Sequence, residues 1–400
     1  MNIFWNTRVS RLSPYVPGEQ PGSGNLIKLN TNENPYPPSP KVVEAIRSLV
    51  SGADAGAPLR LYPDPACTAF REAVALRYGV RAEQVFPGNG SDEVLAFAFG
   101  AFFEQEAPGP GAGEAPRALL FPDITYSFYP VYAGLWNLPF RGIPVEKDFS
   151  INPQDYCVPS AGTVIPNPNA PTGRALPFTN RSGEGSGALA DIVEYQLANK
   201  RVVIIDEAYA AFGAESAVPF IGRYPNLLTV HTLSKSASLA GLRAAFAIGS
   251  AGLIEGLFRI RDSFNSYTLD RLALAGAAAA VADSSYYQGI NKKVIATRER
   301  IAGALASMGF EVIPSRANFL FIRWKGPGPS SRKNSPLSGE VLFRALRDRG
   351  ILVRHFNKPR IADYLRVSIG TDPQMDAFLE ACGEITGTKP GNEAAGSTGG

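Results

Sequence analysis

Val202-Val-Ile-Ile-Asp-Glu-Ala-Tyr209 decides the fold: four β-branched residues with no polar alternation run straight into a pair of acids. A strand with that pattern is covered on both faces, as in a parallel sheet flanked by helices. In such sheets ligands gather beyond the carboxyl ends of the strands, which is where the sequence puts Asp206. Three readings of Asp206 follow from its position: a magnesium ligand beside a nucleotide, a partner for a ring nitrogen that must stay protonated, or a helix cap. The nucleotide reading is weakened because the chain has no Gly-x-x-x-x-Gly-Lys-Ser/Thr loop.

The same apolar pattern recurs outward in Ala118-Leu-Leu-Phe-Pro122, Thr163-Val-Ile165, Leu227-Leu-Thr-Val230 and Ala244-Ala-Phe-Ala-Ile248, with helical segments between. That alternation predicts an α/β fold with a mostly parallel central sheet. Lys292 to Gly309 predicts a long amphipathic helix closed by glycine. It leads into Glu311-Val-Ile-Pro-Ser, Asn318-Phe-Leu-Phe-Ile-Arg, Ile351-Leu-Val-Arg and Tyr364-Leu-Arg-Val-Ser-Ile, which read as a separate α+β lobe. The expected division is a large domain over 51–269, an N-terminal arm over 1–50 with a small domain over 270–385, and a disordered polar tail over 386–400. Gly-, Pro- and Ser-rich stretches at 107–116, 181–187 and 326–339 read as surface loops.

Composition excludes several classes of function. The chain has 400 residues, 45% hydrophobic and 19% charged, enough for a large core and more than one domain. A net charge of +3, with no basic run, gives no footprint for nucleic acid. Three scattered cysteines without a Cys-x-x-Cys, and only two histidines, point to neither a disulfide framework nor a metal site. No signal-peptide pattern and no run of about 18 apolar residues occur, so a cytoplasmic protein without membrane contact is expected.

Chemistry concentrates in Thr232-Leu-Ser-Lys-Ser-Ala-Ser-Leu-Ala-Gly-Leu-Arg243. A lysine ordinarily keeps its ammonium in water. Lys235 stands instead among hydroxyls and small residues just after an apolar run. A lysine amine is a nucleophile only when part of it is unprotonated, which needs desolvation and a nearby cation. Arg243 could supply that cation, and Ser234 with Arg243 could hold a phosphate. Gly88-Asn-Gly-Ser-Asp-Glu-Val-Leu95 sets a glycine turn before a helix, where free N–H groups bind anions or are simply capped. Phe121-Pro-Asp-Ile-Thr-Tyr-Ser-Phe-Tyr129 offers rings for a core or for stacking on a flat ligand. Asn167-Pro-Asn-Ala-Pro-Thr-Gly173 is a turn whose amides could meet a ring hydroxyl.

In this order the pieces resemble the fold-type I pyridoxal-phosphate enzymes, specifically the histidinol-phosphate aminotransferases. The resemblance runs from Leu29 to Thr371. It includes Leu29-Asn-Thr-Asn-Glu-Asn-Pro-Tyr36, Leu61-Tyr-Pro-Asp-Pro65, Asp262-Ser-Phe-Asn-Ser-Tyr-Thr-Leu-Asp270, Ala317-Asn-Phe319 and Val353-Arg-His-Phe-Asn-Lys-Pro-Arg-Ile-Ala-Asp-Tyr-Leu-Arg366. It implies a large domain with a mostly parallel sheet, a smaller α+β domain, and pyridoxal 5'-phosphate as cofactor.

The roles implied are these. Lys235 holds the cofactor as a Schiff base and moves the α-proton, Asp206 pairs with the pyridine nitrogen, and Tyr209 with Asn169 meets the ring oxygen O3'. Tyr126 stacks on the ring. Gly90, Ser91, Asp92, Ser234 and Arg243 surround the phosphate, joined by Tyr62 of a second subunit, so that a homodimer shares its sites. Arg366 takes the carboxylate of glutamate or the phosphate of the other substrate, with Arg354 as a second anion partner. Tyr15, Asn32 and Tyr267 line the substrate pocket. One departure stands out: many relatives have Asn just before Pro-Thr-Gly, where this chain has Ala170, so the O3' contact comes from Asn169 or falls to Tyr209 alone.

The implied activity is transfer of the amino group of L-histidinol phosphate to 2-oxoglutarate, giving imidazole acetol phosphate and glutamate in histidine biosynthesis. Aromatic-amino-acid aminotransferases and threonine-phosphate decarboxylases look similar at these motifs. A cofactor-binding protein without catalysis is disfavoured by the intact Lys235, Asp206, Tyr209 and Arg366.

Overall fold

The computed structural model describes residues 4–15, 18–20, 26–52, 55–104, 117–179, 188–326 and 337–389. The expected loops at 107–116 and 181–187, most of the one at 326–339, and the tail from 390 onward lie outside the described residues. Thr386 is buried and ends the helix Asp372–Thr386, so an ordered element reaches into the expected tail.

The strands, in chain order, are β1 (Ile27–Lys28), β2 (Val85–Asn89), β3 (Leu119–Pro122), β4 (Phe140–Ile143), β5 (Gly162–Pro166), β6 (Val203–Asp206) and β7 (Leu227–Thr232). They continue as β8 (Ala244–Gly249), β9 (Phe310–Ile313), β10 (Phe319–Trp324), β11 (Ile351–Leu352), β12 (Arg354–His355) and β13 (Tyr364–Ser368). A seven-stranded sheet has the order β2-β8-β7-β6-β5-β3-β4. Strands β7, β6, β5, β3 and β4 are parallel, while β8 runs antiparallel to both its neighbours. The architecture is therefore α/β with a mostly parallel central sheet.

The absence of polar alternation in β6 has the expected cause. Ile205 packs with Val203, Leu227 and Phe246 under one face, whereas Ile204 packs with Leu228, Val230 and Phe121 under the other. All four β6 residues are buried, and each such aliphatic side chain contributes about 1.5–3 kcal/mol. Register then fixes the site. Pro166 pairs with Asp206, and Asp206 with Val230, so the carboxyl ends of β5, β6 and β7 lie side by side.

A four-stranded antiparallel sheet, β12-β13-β10-β9, forms the second lobe and sets Arg354 directly across from Arg366. The segment between β1 and the helix Pro40–Val50 is threaded against it. Ser368 N donates to Leu29 O at 2.9 Å, Asn32 N to Ser368 Oγ at 2.8 Å, and Asn318 Nδ2 to Asn32 O at 2.9 Å. The long helix starts at Ser284, ahead of the expected Lys292, and Gly309 ends it in the left-handed conformation. Among the described residues no helix is long and apolar enough to cross a membrane, and no group of three or more metal-ligating side chains gathers.

Gly162 opens β5 at φ 147°, and a Cβ there would sit 2.3 Å from Phe103 Cε1 and 3.0 Å from Val202 O. Backbone strain and overpacking together make Gly162→Ala cost about 2–4 kcal/mol. Chemical denaturation should show a lowered midpoint; an unchanged midpoint would refute this account of the β5 entry.

Candidate active site

A cavity of about 380 Å³ opens beyond the carboxyl ends of β5–β7 and reaches the second lobe. Its sheet-side wall carries Asp206, Tyr209, Ser234, Lys235 and Arg243, and the helix Gly90–Phe102 adds Ser91 and Asp92. Tyr126 comes from the segment after β3, Tyr15 and Asn32 from the N-terminal region, and Arg354 and Arg366 from the second sheet.

Lys235 lies in a single helical turn, Leu233–Ser236, which Thr232 starts by accepting from Ser234 N at 3.2 Å. Its amine donates to Thr31 O at 2.9 Å. Burial lowers the amine to about 8, with Arg366 the next cause and Arg243 a lesser one; Glu33 and Asp92 act in the opposite sense. Desolvation and Arg366 thus do most of what the sequence assigned to Arg243.

Asp206 is buried, and the loss of water raises its carboxyl to about 6. Tyr129 Oη donates to Asp206 Oδ2 at 2.8 Å and Ala208 N to Oδ1 at 3.1 Å, which favours the charged form. Tyr209 Oη accepts from Asn32 Nδ2 at 3.0 Å, and its ring meets Phe319 edge-on at 5.1 Å.

A second cluster gathers at the start of the helix Gly90–Phe102. Arg243 Nη2 lies 3.2 Å from Asp92 Oδ2, and Arg243 Nη1 lies 3.4 Å from Ser234 Oγ. Tyr126 Oη and Tyr132 Oη both donate to Asp92 Oδ1, at 2.7 and 3.2 Å. Gly90 has φ 81°, and a Cβ there would fall 2.3 Å from Arg243 Nη2. Only glycine leaves room for the guanidinium to pack against this residue.

Across the cavity Arg366 donates to Asn30 O at 2.9 Å, while its Nε is buried without a partner. Its guanidinium lies 5.5 Å from the Phe319 ring and 5.7 Å from the Phe356 ring. Burial, the leading cause, pulls its basicity down, and Arg354 adds to this.

The sequence matches the aminotransferase class I and II family over residues 24–382. Histidinol-phosphate aminotransferase 2 of Dechloromonas aromatica is 50% identical over 390 residues, covering 97% of this chain and all of that one. Histidinol-phosphate aminotransferase of Clostridium acetobutylicum is 51% identical over 381 residues, covering 95% of this chain and 98% of its own length. The chain belongs to the class I and II aminotransferases. In fold it is similar to histidinol-phosphate aminotransferase from Sinorhizobium meliloti, crystallised with pyridoxal 5'-phosphate. The TM-score is 0.77 at 22% identity, over 96% of this chain and 98% of that one.

Four residues singled out from the sequence do not line the cavity of this aminotransferase: Asn169, Tyr62, Tyr267 and Gly90, the last standing at the start of the helix whose Ser91 and Asp92 do line it. Asn169 is buried, and its Nδ2 donates to Ile124 O at 2.9 Å. Tyr62 and Tyr267 stack on each other at 4.6 Å on the surface. Ala170 packs its methyl group with Ala317, Phe319 and Tyr209. Other contacts escaped the sequence reading. Tyr129 lay inside the quoted aromatic stretch, and Phe356 inside the quoted second-lobe stretch, but neither differs in kind from its aromatic neighbours. Thr31 acts through its backbone carbonyl, which leaves no side-chain signal.

The lowered amine has a pH signature. Lys235 binds fewer protons folded than unfolded between pH 8 and its ordinary value of 10.5. Its penalty on stability is complete below pH 8 and is relieved as pH rises across that window. Trinitrophenylation of cofactor-free protein, followed by peptide mass spectrometry, should show Lys235 reacting with a midpoint near pH 8. Arg366→Gln should move that midpoint upward. A wild-type midpoint in the ordinary lysine range would contradict the burial argument.

Proposed function

We propose that this aminotransferase transfers the amino group of L-histidinol phosphate to 2-oxoglutarate, yielding imidazole acetol phosphate and glutamate as a step of histidine biosynthesis. The observation that carries the reading is the cross-strand pair Arg354 and Arg366 facing the Lys235 amine across one cavity. Two substrates that share only an anionic end need an anion site that is indifferent to carboxylate or phosphate, and guanidinium groups recognise both. The named relatives, about half identical over nearly their whole length, support the same reading.

The donor set fits pyridoxal 5'-phosphate. Gly90, Ser91, Asp92, Ser234 and Arg243 would hold its phosphate, where the left-handed Gly90 starts the helix beside a guanidinium. Asp206 would hold the ring nitrogen, Tyr209 the ring hydroxyl, Tyr126 the ring face, and Lys235 the aldehyde end. Asn169 would contribute by fixing the turn beside the ring, since its amide is engaged by Ile124 O. When bound, the cofactor supplies an electron-withdrawing cationic ring that stabilises negative charge at the substrate Cα.

The chain's own groups supply the rest. A neutral Lys235 amine takes the proton from Cα of the donor and returns one during the second half-reaction. An amine near pH 8 suits this exchange, because both protonation states are populated at neutral pH. Asp206 keeps a proton at the ring nitrogen: a buried carboxylate raised to about 6 gains most by facing a cation. Tyr129 orients that carboxylate through its 2.8 Å bond. Arg366 and Arg354 hold the anionic end, and Tyr15 and Phe356 exclude water from the remaining wall.

A homodimer with shared sites completes the reading. Tyr62 is 77% exposed and Phe264 78% exposed, with Leu59 and Leu61 exposed nearby. Exposed large apolar side chains suit burial against a second copy, which would carry Tyr62 toward the partner's phosphate cluster. A cytoplasmic setting agrees with three unpaired cysteines.

The test is glutamate formation from L-histidinol phosphate and 2-oxoglutarate by the cofactor-loaded protein, with phenylalanine and threonine phosphate in parallel. Turnover should be fastest with histidinol phosphate, and Lys235→Ala should lower kcat by at least about 10⁴-fold in a protein that keeps its native circular dichroism. Faster turnover of phenylalanine, or release of carbon dioxide from threonine phosphate, would overturn the substrate assignment. Full activity of Lys235→Ala would overturn the mechanism.

A further inference from the structure

We propose that Arg360 is a positioning residue for the anion site, clamping the wall that carries Arg354, Phe356 and Arg366 to the end of the main sheet through Asp123. The inference rests on the functional reading above, in that the wall it positions is the proposed anion site.

Between β12 and β13 the chain leaves the second sheet and returns, so that Arg354 and Arg366 stand at the two ends of one excursion. Phe356, inside it, lines the cavity and sits 5.8 Å from the Arg354 guanidinium and 5.7 Å from that of Arg366. The position of the excursion therefore sets how the two cations face the cavity. Its local bonds run within the excursion itself: His355 Nε2 meets Ala362 O at 2.7 Å, Lys358 N donates to Phe356 O at 2.9 Å, Ile361 N to Lys358 O at 3.3 Å and Tyr364 N to Ile361 O at 3.0 Å. Ile361 is buried in the core beneath the main sheet, an anchor without directional preference.

Arg360 supplies the directional anchor. Its Nη1 donates to Asp123 Oδ2 at 2.9 Å, and its Nη2 to Val145 O at 2.5 Å and Glu146 O at 3.2 Å. The receiving corner is rigid. Asp123 Oδ1 accepts from Ile124 N at 2.8 Å and Val145 N at 3.0 Å, and Asp123 N donates to Ile143 O at 2.9 Å, which ties the ends of β3 and β4 together. Directly after Asp123 come Thr125, Tyr126 and Ser127 of the opposite cavity wall. One side chain thus joins two walls of the cavity without lining it.

The backbone agrees. Arg360 has φ 69°, a left-handed conformation that a residue with a Cβ keeps only where its surroundings hold it. Three contacts on one guanidinium do so. Arg360 and Asp123 are partly exposed, at 40% and 31% of their side chains, so removing the pair disturbs geometry rather than the core.

The test compares Arg360→Asn, which tolerates the left-handed backbone and lacks the guanidinium, with Asp123→Asn, the double variant and Arg360→Lys. Each is measured as cofactor-loaded protein for KM and kcat, for succinate affinity by calorimetry, and for thermal midpoint. In both single variants KM for histidinol phosphate and 2-oxoglutarate, and Kd for succinate, should rise about tenfold while kcat changes far less, as a misplaced binding wall requires. The double variant should be no worse than either single one, and Arg360→Lys should recover part of the loss. Unchanged succinate affinity in a folded Arg360→Asn, a loss confined to kcat, or additive losses in the double variant would overturn the proposal. A wild type that binds succinate but does not turn over histidinol phosphate would refute the functional reading alone, and the succinate series would still decide the role of Arg360.

Discussion

A primary amine held out of water, with the Arg366 guanidinium further disfavouring its charge, is the constraint around which this molecule is arranged. Among the described residues Lys235 has one hydrogen-bond acceptor, the Thr31 carbonyl, and no carboxylate in an ion pair with it. An ammonium in that position would lose much of its hydration without a paired anion, and so the neutral form gains. Maintaining this condition requires the second sheet to bring Arg366 toward the carboxyl ends of β5–β7, and requires the segment at Thr31 to run between the two sheets.

Electrostatic conflicts around the cavity are left incomplete in a consistent way. Among the described residues Asp206 is buried with a tyrosine and a backbone N–H as donors and no cation paired with it. Among the described residues Arg366 keeps an unpartnered Nε, and Gly90, buried at its helix start, holds the left-handed conformation against Arg243. Each feature costs stability in the protein alone and is offset when a ligand brings a cationic ring nitrogen, a carboxylate or a phosphate. The surrounding sheet, buried on both faces, is stable enough to carry these local costs.

Much of this was legible from the chain. β3, β5, β6, β7 and β8 announced themselves as apolar runs because a parallel sheet covered on both faces needs no polar residues. β2 and β4 did not. Val85-Phe-Pro-Gly-Asn89 carries two turn-forming residues, which the edge position beside β8 tolerates, and Phe140-Arg-Gly-Ile143 is an edge strand exposed at three of its four positions. Lys235, Asp206, Arg243 and Arg366 stood in motifs whose residue types are tied to their chemistry, and they converge on one cavity. Tyr129 could not be told from Tyr126 or Tyr132, since its meaning arises from an Asp distant in sequence. The direction of the Asn169 amide likewise depends on Ile124, a residue on another element.

The claim that one cavity serves both half-reactions is tested most directly by initial-rate kinetics in which histidinol phosphate and 2-oxoglutarate are varied together. A single site predicts parallel double-reciprocal lines, with 2-oxoglutarate at high concentration acting as a competitive inhibitor against histidinol phosphate. Intersecting lines, with no competition between the two anions, would place them in separate sites and contradict the account.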